Sequence, residues 1–353
     1  MSTGSMGSAR KRGGRSPSMA DVAARAGVSH QTVSRVLNDS PLVRPDTRER
    51  VLAAIAETGY RRNSAARALA TNRSSRVGLI SAHLVLYGPS RISDALSDAL
   101  HEAGYELTLA SMPEQTEAAL RAAVDRLLDK AVEAIVIAVA HSGAHAWAKE
   151  LDLDVPVVLV QGVDPGEPMA VGIDQEGGAQ AATDHLLDLG HRHVAHLTGP
   201  LDWIEAAQRR RGWMRAHERR GLEPGPEVAG DWSPRSGYDA GRRLLEHRRD
   251  GAGSLTAVLV ANDSMALGLL NALHSEGLRV PEDLSVVGFD DVPEAAFYWP
   301  PLTTVRQEFA ALGTRAVEVT LRALAGEVDA TVDLLAPAVV VRGTTGPPGA
   351  TDG

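Results

Sequence analysis

At 353 residues the chain exceeds what one ordinary core organises, so two or more domains are expected. Apolar residues make up 44% and charged residues 23%. No apolar run approaches the ~18 residues of a membrane span, and the absence of cysteine excludes disulfide scaffolds and thiolate chemistry. The net charge of −9 conceals an asymmetry: residues 1–76 carry 14 basic and 5 acidic side chains, the remainder 22 and 40. A basic head on an acidic body points to a polyanion met by the head alone.

Residues 1–17 are rich in Gly, Ser and Arg and contain no apolar core of a secretory signal. A disordered basic arm and a cytoplasmic location are expected. From Ser18 the pattern changes. Ser18 can cap a helix over Met19–Ala26, with Met19, Val22, Ala23 and Ala26 on its apolar side. Gly27 supplies a tight turn, Val28 turns inward, and Ser29 caps a second helix through Val36 or Leu37. Two helices this short need a third to cover them. Asp46–Thr58 fits, with Pro45 at its start, Gly59 as its stop, and apolar Val51, Leu52 and Ile55. The arrangement is a helix-turn-helix head over residues 18–62.

In such a head the second helix enters the major groove N-terminus first. Its outward face offers His30, Gln31 and Arg35, while Ser29, Thr32 and Ser34 suit phosphates. Gln can bond an adenine edge bidentately and Arg a guanine edge, each pair worth about 1–3 kcal/mol of discrimination. A plain helical bundle with a polar face would show the same pattern.

The stretch AGVSHQTVSRVLN, Ala26 to Asn38, separates the two readings. With Asp21, Val22 and Ala23 it resembles the signature of the lac repressor (LacI/GalR) family, DVAxxAGVSxxTVSRVLN. The match continues through Thr47–Val51, Gly59-Tyr60, Asn63 and Ala68–Ala70, and the resemblance runs from about Ser18 to Arg342. It implies operator DNA as a partner, read by Ser29, His30, Gln31, Thr32, Ser34, Arg35 and Asn38. It also gives a role to residues 63–75, too short for an isolated helix. In the family the segment is a hinge helix that orders against its dimer mate in the minor groove, the NxxAxxLA spacing placing Asn63, Ala66 and the wedging Leu69.

Beyond Arg76 short apolar strands alternate with amphipathic helices. Strands are expected at Val77–Ile80, Leu107–Ala110, Ala134–Val139 and Val155–Val160, with helices over Ser90–Ala103 and Glu114–Asp129. After Ile173 the pattern restarts: helices Glu176–Leu189, Glu205–Arg220 and Ser264–Glu276, strands Val194–Leu197, Ala257–Val260 and Ser285–Phe289. The fold class is therefore α/β, two doubly wound parallel-sheet lobes. Ligands of such sheets bind beyond the carboxyl ends of strands, here between the lobes. Asn262-Asp263 and Asp290-Asp291 follow strands, Arg209 lies on a helix that also carries Trp213, and Trp232 could lay its ring on a sugar. Capping is an equal claim for each of these taken alone, and Asp263 and Asp291 are expected as caps or salt-bridge partners.

The body resembles the periplasmic-binding-protein-like core of the same family, through Gly199-Pro200, Gly230–Ser233, Val260–Asp263 with Met265–Gly268, Ser285–Gly288 and Pro300–Thr304. The resemblance implies Arg209, Trp232, Asn262, Asp290 and Gln307 as contacts to a small sugar, a galactoside or similar, with Leu86 and Phe309 as the apolar wall. Gln161, also expected at the ligand pocket, stands in place of an aspartate, and Ala82 and His30 in place of a serine and a tyrosine, which leaves the sugar and the operator open. Lobes are expected over 76–173 plus 308–336 and 174–307 plus 337–342. A flexible tail is expected over 343–353, without the leucine heptads of a tetramerising helix, hence a homodimer. No cofactor, metal or catalytic residue is implied. His191, His193 and His196 are expected to pack or cap, since alternation sends them to different faces. A purine-responsive repressor of the same fold, and a sugar-binding protein without a DNA role, stay as alternatives.

Overall fold

The computed structural model describes residues 17–37, 39–60, 73–112, 114–163, 165–249, 255–327 and 334–349. The chain divides into two compact units, residues 1–74 and 75–353.

In the first unit, helix α1 (Met19–Ala26) opens with a capping box. The Ser18 hydroxyl accepts from the Asp21 amide and the Ser18 amide donates to the Asp21 carboxylate. Gly27, at φ +64°, ends it in the left-handed region. Ser29 Oγ accepts from Thr32 N at 3.2 Å at the start of α2 (His30–Leu37). Helix α3 (Pro45–Thr58) covers both, burying Val22, Val33 and Val51 completely. Leu52 departs from expectation and is 52% exposed. Positions 51, 54 and 55 share one helical face and 52 lies off it, so Ala54 takes the buried place. The expected hinge, with Asn63, Ala66 and Leu69, and the recognition-segment Asn38 lie outside the described residues.

The second unit contains two parallel sheets. The first runs β2-β1-β3-β4-β5, from β1 (Arg76–Ser81), β2 (Glu106–Ser111), β3 (Ala134–Ala138), β4 (Val157–Val160) and β5 (Ala170–Val171). Helices α4 (Tyr87–Glu102), α5 (Glu117–Leu128) and α6 (Ser142–Lys149) connect them. Successive strand residues serve opposite cores: Val77, Leu79 and Val136 join one cluster, Ile80, Ile135 and Ile137 the other. Both faces are covered, as a parallel sheet requires.

The second sheet runs β7-β6-β8-β9, from β6 (Val194–Thr198), β7 (Glu227–Ala229), β8 (Ala257–Val260) and β9 (Ser285–Val287). Around it lie α7 (Gln175–Asp188), α8 (Ile204–Arg219), α9 (Pro234–Arg249) and α10 (Asp263–Ser275). The chain then returns through β10 (Thr304–Arg306) to α11 (Phe309–Leu324), whose Phe309, Leu312, Ala316 and Val319 pack into the core of the first sheet. It crosses back to β11 (Ala338–Val340), antiparallel to β10. Three segments thus link the lobes, near residues 173, 307 and 336.

The flexible tail expected over 343–353 is corrected over residues 343–349, the rest lying outside the described residues. Thr344 is completely buried; its Oγ1 accepts from Thr303 N at 2.8 Å and donates to Val286 O at 2.7 Å. Val286 N donates to Thr344 O, and Gly346 O bonds His191 Nε2 at 2.9 Å. The Thr344-Thr345 pair brings enough donors and acceptors to fasten the segment to the open side of β9. Among the described residues no helix is long and apolar enough to cross a membrane.

Candidate ligand cavity and DNA-reading helix

The eight residues expected at the ligand site, Leu86, Gln161, Arg209, Trp232, Asn262, Asp290, Gln307 and Phe309, all line one cavity. About 600 Å³ of non-atom space lies within it, open solvent at its mouth included. The first lobe contributes the start of α4 with Leu86, Tyr87 and Ile92, the residues after β4, and the start of α11. The second contributes the first turns of α7 and α8, Trp232, Asn262 and Asp290.

Four of the polar side chains form a ring. Arg209 Nε donates to Gln175 Oε1 at 2.9 Å, and Gln175 Nε2 to Gln307 Oε1 at 2.7 Å. Gln307 Nε2 donates to Asp290 Oδ1 at 2.6 Å, which lies 3.7 Å from Arg209 Nη2. Arg209 also donates to the Ala261 carbonyl, and its guanidinium lies 3.8 Å over the Phe289 ring. Buried charges are tolerated when paired and bonded in this way. Burial pushes the Asp290 carboxyl up to about 6, with Arg209 and Gln307 pulling the other way. Burial lowers Arg209 from its ordinary value, against the attraction of Asp290.

Asn262 caps α10 by accepting from Met265 N at 2.8 Å, and its amide donates to Trp232 O. Trp232, at φ +74°, is held in the left-handed region, where a non-glycine residue is strained, and its ring meets Trp203 edge-on at 5.5 Å. Asp263 and Asp291 keep the supporting places expected of them. Asp263 accepts from Val292 N and from Thr304 Oγ1 at 2.6 Å; Asp291 pairs with Arg306 and Arg342. Trp213 belongs to the second-lobe core, donating from Nε1 to Val194 O.

Sequence reasoning missed Gln175, Trp203 and Glu205. Trp203 and Glu205 follow β6 at the foot of α8, the same strand-end signal that singled out Asn262 and Asp290. Glu205 is 3% exposed, and neither carboxylate oxygen has a hydrogen-bond partner of ordinary geometry.

On α2 the side chains of His30, Gln31 and Arg35 are exposed together, as major-groove reading requires. The hydroxyls of Ser29 and Thr32 lie 2.9 Å apart within the helix cap, and Ser34 is half-buried.

Residues 18–63 match the family model described as bacterial regulatory proteins, lacI family, and residues 183–345 the one described as periplasmic binding protein-like domain. The lactose operon repressor of Escherichia coli (strain K12) is 36% identical over 327 residues, 92% of this chain and 89% of that protein. The chain belongs to the lacI family of bacterial regulatory proteins. The ribose operon repressor of the same organism is 33% identical, over 86% of this chain and 92% of its own. Among solved structures, the lac repressor dimer bound to operator and the anti-inducer ONPF superposes with a TM-score of 0.84. It is 35% identical, over 94% of this chain and all of that one.

A lacI-family chain is a DNA-binding transcriptional repressor and not an enzyme, and the three clustered histidines find structural uses here. His191 bridges Thr256 and Gly346, His193 bonds Glu223 O, and His196 bonds Leu259 O. Each imidazole bonds a different segment of the chain, and burial lowers His196 to about 4, so it stays neutral. Among the described residues no cluster of side chains suits a metal ion.

Proposed function

We propose that this repressor binds a pseudo-palindromic operator as a cytoplasmic dimer and is released by a small neutral sugar, a galactoside first among candidates, held between its lobes. The single observation that carries the reading is the make-up of the cavity. An aromatic and aliphatic wall of Trp203, Trp232, Leu86, Ile92 and Phe309 faces the bonded polar group of Arg209, Asp290, Asn262 and Gln307. Sugars present that combination, apolar ring faces with a rim of hydroxyls. The dimeric lac repressor structures support the assembly, and the relatives include lactose and ribose operon repressors, GalS and PurR, so the choice of galactoside rests on the resemblance.

The mechanism is linkage. A ligand that binds one arrangement of the lobes better than the other shifts the population, by about 1–3 kcal/mol of coupling per site, and DNA must weaken the ligand by the same factor. The test is fluorescence anisotropy on a duplex selected from a random palindromic pool, titrated with galactosides, ribose, cellobiose and purine nucleobases. Release of DNA by a galactoside is the expected result. Tightening by a nucleobase would make the protein a corepressor-dependent regulator instead, and the absence of any duplex affinity would remove the DNA role.

A further inference from the structure

Most polar groups of the cavity are already bonded to one another. Arg209, Gln175, Gln307 and Asp290 close their ring, and Asn262 is engaged at both ends of its amide. Glu205 differs. It sits one turn before Arg209 on α8, lines the cavity, and is buried; its own backbone amide and the Gln161 amide favour its ionised form, but neither makes a hydrogen bond of ordinary geometry to its oxygens. Trp232, on the same cavity, has an indole Nε1 that is buried and unpartnered as well. Burying such groups without partners is costly, and a bound molecule that supplied the missing bonds would offset the cost.

We propose that Glu205 is a specificity-determining residue of this cavity, its carboxylate accepting hydroxyl hydrogens from the bound ligand. The inference rests on the reading of the cavity as a sugar site and names the part of the sugar that the site selects. An ionised carboxylate only accepts, and an indole N–H only donates. A ligand that satisfies both must give and take hydrogen bonds, which hydroxyls do and an ammonium does not. Two adjacent free hydroxyls can donate to the two Glu205 oxygens together. Glu205 and Arg209 are about 6 Å apart along the helix axis at 1.5 Å per residue, so one six-membered ring can touch both. The ligand class is therefore a neutral sugar with adjacent unsubstituted hydroxyls on the face turned to α8.

The proposal carries a pH signature. Burial pushes the Glu205 carboxyl up to about 7; its own backbone amide, the Arg209 cation on its own helix and the hydrogen-bonding Gln161 amide act in the opposite direction. Because the acceptor role needs the ionised form, binding should strengthen as pH rises through this value. The other carboxylate at the cavity, Asp290 at about 6, changes its ionised fraction only about twofold between pH 6 and pH 8.

The experiment titrates the full chain with methyl β-D-galactopyranoside and its monodeoxy analogues at pH 6 and pH 8, by calorimetry. The wild type is expected to bind about twentyfold tighter at pH 8, about tenfold from Glu205, a group near 7 that must ionise, and about twofold from Asp290. Glu205→Gln should reduce that ratio to about the twofold left to Asp290. It should also erase the penalty of the one or two deoxy analogues that lack the hydroxyls in question. Glu205→Asp, which keeps the carboxylate, should retain the pH dependence. Wild-type affinity and an unchanged pH ratio in Glu205→Gln would overturn the proposal while leaving the sugar site standing. Failure of the wild type to bind this probe, ribose or cellobiose would remove the sugar reading and this inference together.

Discussion

Arg209 and Asp290 are joined more firmly by their neighbours than by each other. Their direct approach is 3.7 Å, whereas three hydrogen bonds of 2.6–2.9 Å run between them through Gln175 and Gln307. The chain of bonds fixes where the guanidinium points and holds the carboxylate open to a ligand on its remaining lone pairs. Removing one buried partner leaves an uncompensated charge, a cost of about 3–5 kcal/mol. Arg209→Ala should lower core stability by that order in chemical unfolding, and it should abolish effector release of DNA. Gln307→Ala should cost less, about 1–3 kcal/mol, because Asp290 then keeps Arg209.

Glu205 gives a second prediction, for the protein without ligand. Its folded-state carboxyl titrates near 7 against an ordinary 4.5, so between those values the folded state holds more protons than the unfolded one. Stability from this group is therefore full below about pH 4.5 and falls as pH rises through 7. The difference of about 2.5 units corresponds to roughly 3 kcal/mol at most. Glu205→Gln should be more stable than the wild type at pH 8 and converge with it near pH 5. Unfolding midpoints measured across that range check it, and a variant less stable at pH 8 would mean the carboxylate has a partner after all.

The ligand site was legible where chemistry and position coincide, at Asn262 and Asp290 just beyond their strands, and where the resemblance supplied a residue that no local pattern marks, such as Gln307. Gln175 was missed because its role arises from two partners more than thirty residues away in the chain. Helix α9 escaped for a different reason. It packs on α10 through glycines: a Cβ at Gly237 would collide with the Met265 carbonyl, and one at Gly268 with the Pro234 carbonyl. Backbones in contact need no long apolar stripe, so the helix carries few large apolar side chains, chiefly Leu244 and Leu245, among many charged ones. The tail was misread because Gly and Pro suggest loops, while the threonines between them supply the bonds.

The exposed trio on α2 separates base reading from folding. Arg35 is exposed and lies outside the head's apolar core, so Arg35→Ala should leave the melting of the head unchanged. Operator affinity should drop by about 1–3 kcal/mol, concentrated at one base pair. Ser29→Ala should act the other way round, costing about 0.5–2 kcal/mol of head stability through loss of the cap on Thr32 N. Thermal unfolding paired with duplex binding at fixed salt distinguishes the two, and equal losses for both variants would contradict the division of labour.

Thr344 tests the correction at the C-terminal side of the core. Its hydroxyl satisfies the Thr303 amide and the Val286 carbonyl, both buried, while its own carbonyl takes the Val286 amide. Thr344→Val keeps the shape and the backbone bond but leaves two buried groups without a partner, a cost of about 1–3 kcal/mol. Thr344→Ser keeps the hydroxyl and should lose well under half of that. Truncation after Arg342 removes the Gly346 bonds to His191 and Ser285 as well, so it should destabilise the second lobe more than Thr344→Val. A truncated protein with wild-type stability would return this segment to the status of a loose tail, since a strand edge that closes equally well on water gains nothing from the threonines.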